Sequence, residues 1–233
     1  MISYAKINLQ VNITAIQQQV AVLASTGWKA HINQHDYEGE WKVLPLRSPG
    51  GEADNIVPDL MGKHTTYLDT PLMQQCPAIK QLLDSLHCEV MSARLLNLKK
   101  GAVIKQHRDV ELAFEKGEAR LHFPIFTNHG VEFYVDDERV IMLEGECWYI
   151  NANLKHRVTN NGPTDRIHLV VDCKVNAWLE KLFEQADKKM APPIRGMEDW
   201  HLVIKHLKER GTDTDLALAD DMEVKLNKAL AGS

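Results

Sequence analysis

This chain lacks paired cysteines, a surplus of basic charge and any long apolar run. Its four cysteines, Cys76, Cys88, Cys147 and Cys173, are scattered, with no Cys-x-x-Cys. That spacing excludes a structural zinc ribbon and fits reduced thiols in the cytoplasm. Lys and Arg number 27 against 32 Asp and Glu, a net charge of −5, so no basic surface for nucleic acid is expected. Lys99-Lys100 and Lys188-Lys189 are isolated pairs at turns and helix ends. No run approaches the length of a membrane span, and Met1–Lys6 shows no basic segment leading into an apolar one, as a signal peptide would. The expectation is a cytoplasmic protein without nucleic-acid or membrane partners.

What is present is ordinary globular material. The 233 residues are 44% hydrophobic and 25% charged, enough for one large domain or for one domain with an appended subdomain. Asn12 to Ser25 reads as a helix, with Ile16, Val20 and Leu23 on one face. From Gly27 to Pro77, prolines and glycines (Pro45, Pro49, Gly50, Gly51, Pro58, Gly62, Pro71) interrupt every pattern. So long an irregular stretch is expected to be a binding loop or lid, or else a surface excursion with short strands. Pro77 opens a helix through Leu86. The period then changes. Val90–Leu98, Val103–Arg108, Arg120–Thr127, Val131–Val135, Arg139–Leu143, Cys147–Asn151, His156–Asn160 and Ile167–Asp172 are short, β-branched or aromatic, and separated by turns such as Asp136-Asp137 and Asn160-Asn161-Gly162-Pro163. Such a series predicts a jelly-roll sandwich or barrel. Helical spacing returns at Val175–Ala186, Met197–Arg210 and Asp215–Leu230. The expected division is a β domain with flanking helices over 1–190 and a helical extension over 191–233, which packs on the sheet or joins two copies in a homodimer.

The chemistry centres on Gln106-His107-Arg108-Asp109. Residues i and i+2 of a strand face the same way, so His107 and Asp109 can reach one point. His156, after the turn that follows Asn151, is the best third ligand. Two histidines and a carboxylate suit iron(II) and leave positions open for O₂ and a co-substrate. His-x-Asp alone also occurs as an exposed ion pair. The kinase reading of His-Arg-Asp fails, because Phe114 stands where an asparagine is required and no Asp-Phe-Gly follows.

Arg166, ten residues after His156, opens the next strand. A guanidinium there would grip the far carboxylate of 2-oxoglutarate bidentately. In Arg120-Leu121-His122-Phe123, Arg120 and His122 share one face, either into a barrel that takes anions or outward from a half-buried strand. An amino-acid substrate would need a further arginine for its carboxylate. Arg94 and Arg120 on strands, and Arg47 in the suspected lid, are the candidates.

The stretch from Arg94 to Asp172 resembles the aspartyl/asparaginyl β-hydroxylase family of iron(II)- and 2-oxoglutarate-dependent oxygenases. The likeness runs through His107-Arg108-Asp109, Arg120-Leu121-His122-Phe123-Pro124-Ile125, Glu144–Asn151, His156–Asn160 and Arg166–Asp172. It implies a double-stranded β-helix, a cupin-like jelly roll flanked by helices. It also implies His107, Asp109 and His156 as metal ligands, Arg166 as the 2-oxoglutarate anchor, and Arg120 and His122 lining the co-substrate region. The animal peptide-modifying members lack the carboxylate ligand. The bacterial free-amino-acid hydroxylases, such as the cis-proline hydroxylases, have it, and so does this chain, which also shows no tetratricopeptide-like region. The implied activity is hydroxylation of a C–H bond in a free amino acid or similar small acid, with Fe(II), 2-oxoglutarate and O₂. The alternatives are hydroxylation of Asp or Asn side chains in a protein, or a cupin-like metal-binding module that does not use 2-oxoglutarate.

Overall fold

The computed structural model describes residues 1–23, 27–56, 66–109, 112–191 and 200–232. In chain order the elements are β1 (Ile2–Ile7), α1 (Ile13–Leu23), β2 (Lys29–Ala30), β3 (Tyr37–Glu38), β4 (Trp41–Pro49), β5 (Tyr67–Asp69) and α2 (Pro77–Asp84). Then come β6 (Val90–Leu98), β7 (Val103–His107), β8 (Glu118–Phe126), β9 (Val131–Val135), β10 (Glu138–Val140), β11 (Cys147–Ile150), β12 (His156–Asn160) and β13 (Arg166–Lys174). The chain closes with α3 (Ala177–Glu184), β14 (Asp187–Met190), α4 (Trp200–Arg210) and α5 (Asp213–Gly232).

Two sheets make a double-stranded β-helix. The major sheet has nine strands in the order β14-β1-β11-β8-β13-β6-β4-β2, with β5 alongside β4; the minor sheet has five, β10-β9-β12-β7-β3. Strand period separates the two faces of the major sheet. On β13 the odd residues Ile167, Leu169, Val171 and Cys173 join Leu121, Phe123 and Ile125 of β8 and Ala93 and Leu95 of β6 in one apolar core. Ile16, Val20 and Leu23 of α1, Ile79, Leu82 and Leu83 of α2, and Leu179 and Phe183 of α3 complete it. Each buried Leu, Ile, Val or Phe among them contributes about 1.5–3 kcal/mol. The even residues of the same strands, including Arg94, His122, Arg166, His168 and Asp172, are buried on the opposite face, toward the minor sheet.

The stretch expected to be an irregular lid holds β4, a nine-residue strand inside the major sheet. Its middle, Val43-Leu44-Pro45-Leu46, is apolar and buried on both faces, so no alternation marks it, and Pro45 sits at a bulge between Pro45 and Arg47, where proline is tolerated. Pro58 and Gly62 lie outside the described residues, as do Ser25 and the start of the Met197–Arg210 helix. The first residues, to which no element was assigned, pair with β11 through Tyr4 and Ile150. The strand expected at Arg139–Leu143 ends at Val140. α2 and α3 are shorter than the helices expected at Pro77–Leu86 and Val175–Ala186, whereas α5 extends beyond Asp215–Leu230 at both ends. α1 begins where Asn12 Oδ1 accepts the Ala15 N–H, and α3 where Asn176 Oδ1 accepts the Leu179 N–H at 3.1 Å.

The chain divides into two compact units, Ile2–Lys189 and Met190–Ser233 with Met1. In the second, α4 and α5 form a hairpin around Ile204, Leu207, Ala219 and Leu226. Gly211, at φ 67°, makes the turn between them. Among the described residues no helix is long and apolar enough to cross a membrane.

Candidate metal centre

Sheet register builds the centre. In the minor sheet His156 of β12 lies directly opposite His107 of β7, and their rings are 4.2 Å apart. Asp109 follows two residues after His107, its N–H donating to the Ala152 carbonyl at 2.8 Å. One ligand atom from each of His107, Asp109 and His156 lies within 4.8 Å of the others. Each histidine donates its Nδ1–H to a carbonyl two residues upstream, His107 to Lys105 at 2.8 Å and His156 to Leu154 at 3.0 Å. Both Nε2 lone pairs are thereby left for a metal. Burial, aided by His107, pulls His156 down to about 4, so it is a neutral ligand at physiological pH. Burial alone would raise the Asp109 carboxyl, but Arg120, with His156 and His107 beyond, holds it below the usual carboxylate range. Two imidazole nitrogens and one carboxylate oxygen, converging from adjacent strands, are a donor set that fits iron(II).

Arg120 joins the two sheets. Its Nη1 meets Asp109 Oδ2. Its Nε and Nη2 grip the Asp172 carboxylate at 2.7 and 3.1 Å. Asp172 also accepts from Arg94 Nη2 at 2.7 Å and Ser92 Oγ at 2.9 Å. Burial would raise the Asp172 carboxyl, but Arg120 and Arg94 hold it far below the usual range. Arg120 does face inward, but its donors are committed to these two carboxylates.

Arg166 is different. It is 2% exposed, and burial lowers it to about 9. Among the described residues no carboxylate pairs with it. Its Nη2 donates to His168 Nδ1 at 2.8 Å, its carbon lies 5.7 Å from the Phe133 ring, and its Nε has no partner. Burial, reinforced by Arg166, drives His122 and His168 well below the ordinary histidine value. Arg166 and His168 line a cleft of about 560 Å³ with Asn128, His129, Phe133 and Met142.

The aspartyl/asparaginyl beta-hydroxylase model matches residues 10–175, which contain all of these groups. The chain belongs to this family. It is 28% identical over 152 residues to the L-proline cis-4-hydroxylase of Rhizobium meliloti (strain 1021), covering 64% of this chain and 53% of that one. It is 29% identical over 160 residues to L-proline cis-3-hydroxylase 1 of a Streptomyces species, covering 66% and 54%. The chain thus spans about half the length of the curated relatives it matches.

Arg47 is not brought to this hydroxylase-family centre. The β4 bulge sets it opposite Ala93, which packs on the helix side of the sheet. There its Nη1 meets Asp69 at 2.7 Å and its Nε the Val90 carbonyl at 3.0 Å. Sequence reasoning overlooked Asp172, Ser92 and an aromatic group beside His107. In that group His31 stacks on Trp41 at 3.5 Å, Tyr37 meets the indole edge-on at 5.8 Å, and Trp41 lies 6.5 Å from His107. Burial first and Arg94 second lower His31 to about 4. Asp172 was visible only as the end of an apolar strand. The aromatics lay in the stretch read as irregular, where no local signal announced them.

Proposed function

We propose that the chain is an Fe(II)- and 2-oxoglutarate-dependent dioxygenase that hydroxylates a C–H bond of a free amino acid or similar small acid, with release of succinate and CO₂. The observation that carries this reading is Arg166: a buried guanidinium with no carboxylate partner among the described residues, in the same barrel as a His-Asp-His cluster. A buried cation is retained against its desolvation when an anion completes it.

His107, Asp109 and His156 would hold the metal, and Arg166 the far carboxylate of the co-substrate. Bound together, iron(II), 2-oxoglutarate and O₂ supply the oxidising power for C–H hydroxylation. The walls of the β-helix exclude water and fix orientation. Of the inward-facing charges described, the guanidiniums Arg94, Arg120 and Arg166 outnumber the carboxylates Asp109 and Asp172 by one. Iron(II) and dianionic 2-oxoglutarate cancel each other, which leaves one positive charge for the carboxylate of a substrate. Arg94 is the candidate for that contact, because its Nε has no partner among the described residues whereas all three nitrogens of Arg120 are engaged. The names of the curated relatives, L-proline hydroxylases, support a small amino-acid substrate.

The test supplies purified protein with Fe(II), ascorbate and 2-oxoglutarate and screens the free amino acids, reading succinate and a mass gain of one oxygen. His107→Ala, Asp109→Ala and His156→Ala should each purify with little iron. Full iron occupancy in any of them removes that residue from the ligand set. Succinate formed only with an Asp- or Asn-containing peptide or protein would establish the side-chain hydroxylase instead, and no succinate with any substrate would leave a metal-binding module.

A further inference from the structure

We propose that Asp172 is a positioning residue for the metal site, aiming the Asp109 carboxylate through Arg120. The inference rests on the reading of His107, Asp109 and His156 as a metal centre. Asp172 itself lies on the major sheet, directly across from Arg120 in the β13–β8 register.

The geometry is a relay of two forks. Arg120 turns its Nε–Nη2 edge to Asp172, at 2.7 and 3.1 Å, so its plane and direction are fixed. Only Nη1 remains to reach Asp109, and it meets Oδ2. The other oxygen, Oδ1, faces His107 Nε2 at 3.9 Å and is left for the metal. An arginine that is not held elsewhere prefers to bridge both oxygens of a carboxylate in parallel. Released from Asp172, Arg120 would compete with the metal for Oδ1 or swing off Asp109 altogether. Ser92 Oγ at 2.9 Å and Arg94 Nη2 at 2.7 Å fix Asp172 in turn. At 3% exposure it has no solvent to turn toward. The carboxylate that anchors the relay is thus 63 positions away in sequence from the one it aims.

The experiment titrates Co(II) into metal-free protein and follows affinity and the ligand-field absorption envelope, with thermal melting recorded beside it. Asp172→Asn keeps the shape but weakens the grip on Arg120. It should bind Co(II) about 10- to 100-fold more weakly, with an altered envelope, the usual size of an outer-shell effect. Arg120→Lys keeps the charge without the fork and should behave likewise. The double variant should be no worse than the weaker single, because both act on one chain of contacts. A merely structural role would lower the melting temperature and leave the envelope unchanged. If Asp172→Asn does not fold, Ser92→Ala reads the same effect at about 2- to 5-fold, since it removes one modest hydrogen bond to Asp172. Wild-type Co(II) affinity and envelope in a folded Asp172→Asn, or failing that in Ser92→Ala, overturns the inference, as does full additivity in the double variant. Absence of Co(II) binding by the wild-type protein would instead overturn the metal-centre reading itself.

Discussion

The two ends of β13 handle buried charge in opposite ways. At its start Arg166 is enclosed with no carboxylate paired to it among the described residues, and its hydrogen-bond partner there is the neutral His168. At its end Asp172 is enclosed between two guanidiniums and a hydroxyl. Desolvation is severe at both ends, but only the second is compensated from within the chain. A network that balances its own charge holds together without a ligand, and an unbalanced one identifies a place for a ligand. Arg120 and Arg166 looked interchangeable as anion anchors by type and strand, and it is the partner that separates them.

Breaking the balanced end should have the largest effect. Asp172→Ala leaves Arg94 and Arg120 buried without their shared counter-charge and should cost about 3–5 kcal/mol of stability in urea unfolding. A loss below 1 kcal/mol would mean that the pairing is not compensation at all. The pH dependence follows the same group. A carboxyl held below its unfolded value, about 3.9, contributes fully above that pH and loses its contribution as pH falls toward the folded value. The wild-type protein should therefore lose stability below about pH 4, and Asp172→Ala should flatten that acid limb.

The unbalanced end should respond in binding rather than folding. Arg166→Ala should weaken 2-oxoglutarate by about 2–4 kcal/mol, roughly 30- to 1000-fold, with iron affinity little changed. Anaerobic titration of the iron–2-oxoglutarate charge-transfer band measures it. Unchanged affinity would transfer the anchor to another cation and erase the distinction between the two ends.

A smaller effect of opposite sign sharpens the contrast. Arg166→Met replaces a buried, uncompensated cation with an apolar chain of similar length. The ligand-free protein should gain about 1–2 kcal/mol, read by calorimetry, while losing its stabilisation by added 2-oxoglutarate. Equal destabilisation by Arg166→Met and Asp172→Ala would show that both charges are structural. Arg47→Ala should have the smallest consequence, up to about 1 kcal/mol from a partly exposed ion pair, with metal and 2-oxoglutarate binding unaltered.

The sequence by itself determined what strand period can carry. Two residues apart on a strand means one face, so His107 with Asp109 and Arg120 with His122 were legible as pairs. The run of short β-branched segments from Val90 to Asp172 was legible as a jelly roll for the same reason. Tertiary structure decided what each charged side chain meets. Arg120 finds Asp172 and Arg94 finds it too, across 52 and 78 positions, because β13 lies between β8 and β6 in the sheet. A single bulge in β4 turns Arg47 to the helix side, a one-residue shift that no local pattern records. His31 and Trp41 reach the centre only because a strand whose middle is buried on both faces, and therefore without alternation, is drawn into the major sheet. Local period fixes which face a residue takes. Strand order and register, which depend on contacts distant in sequence, fix its partner, and in a buried barrel the partner decides whether a charge supports the fold or awaits a ligand.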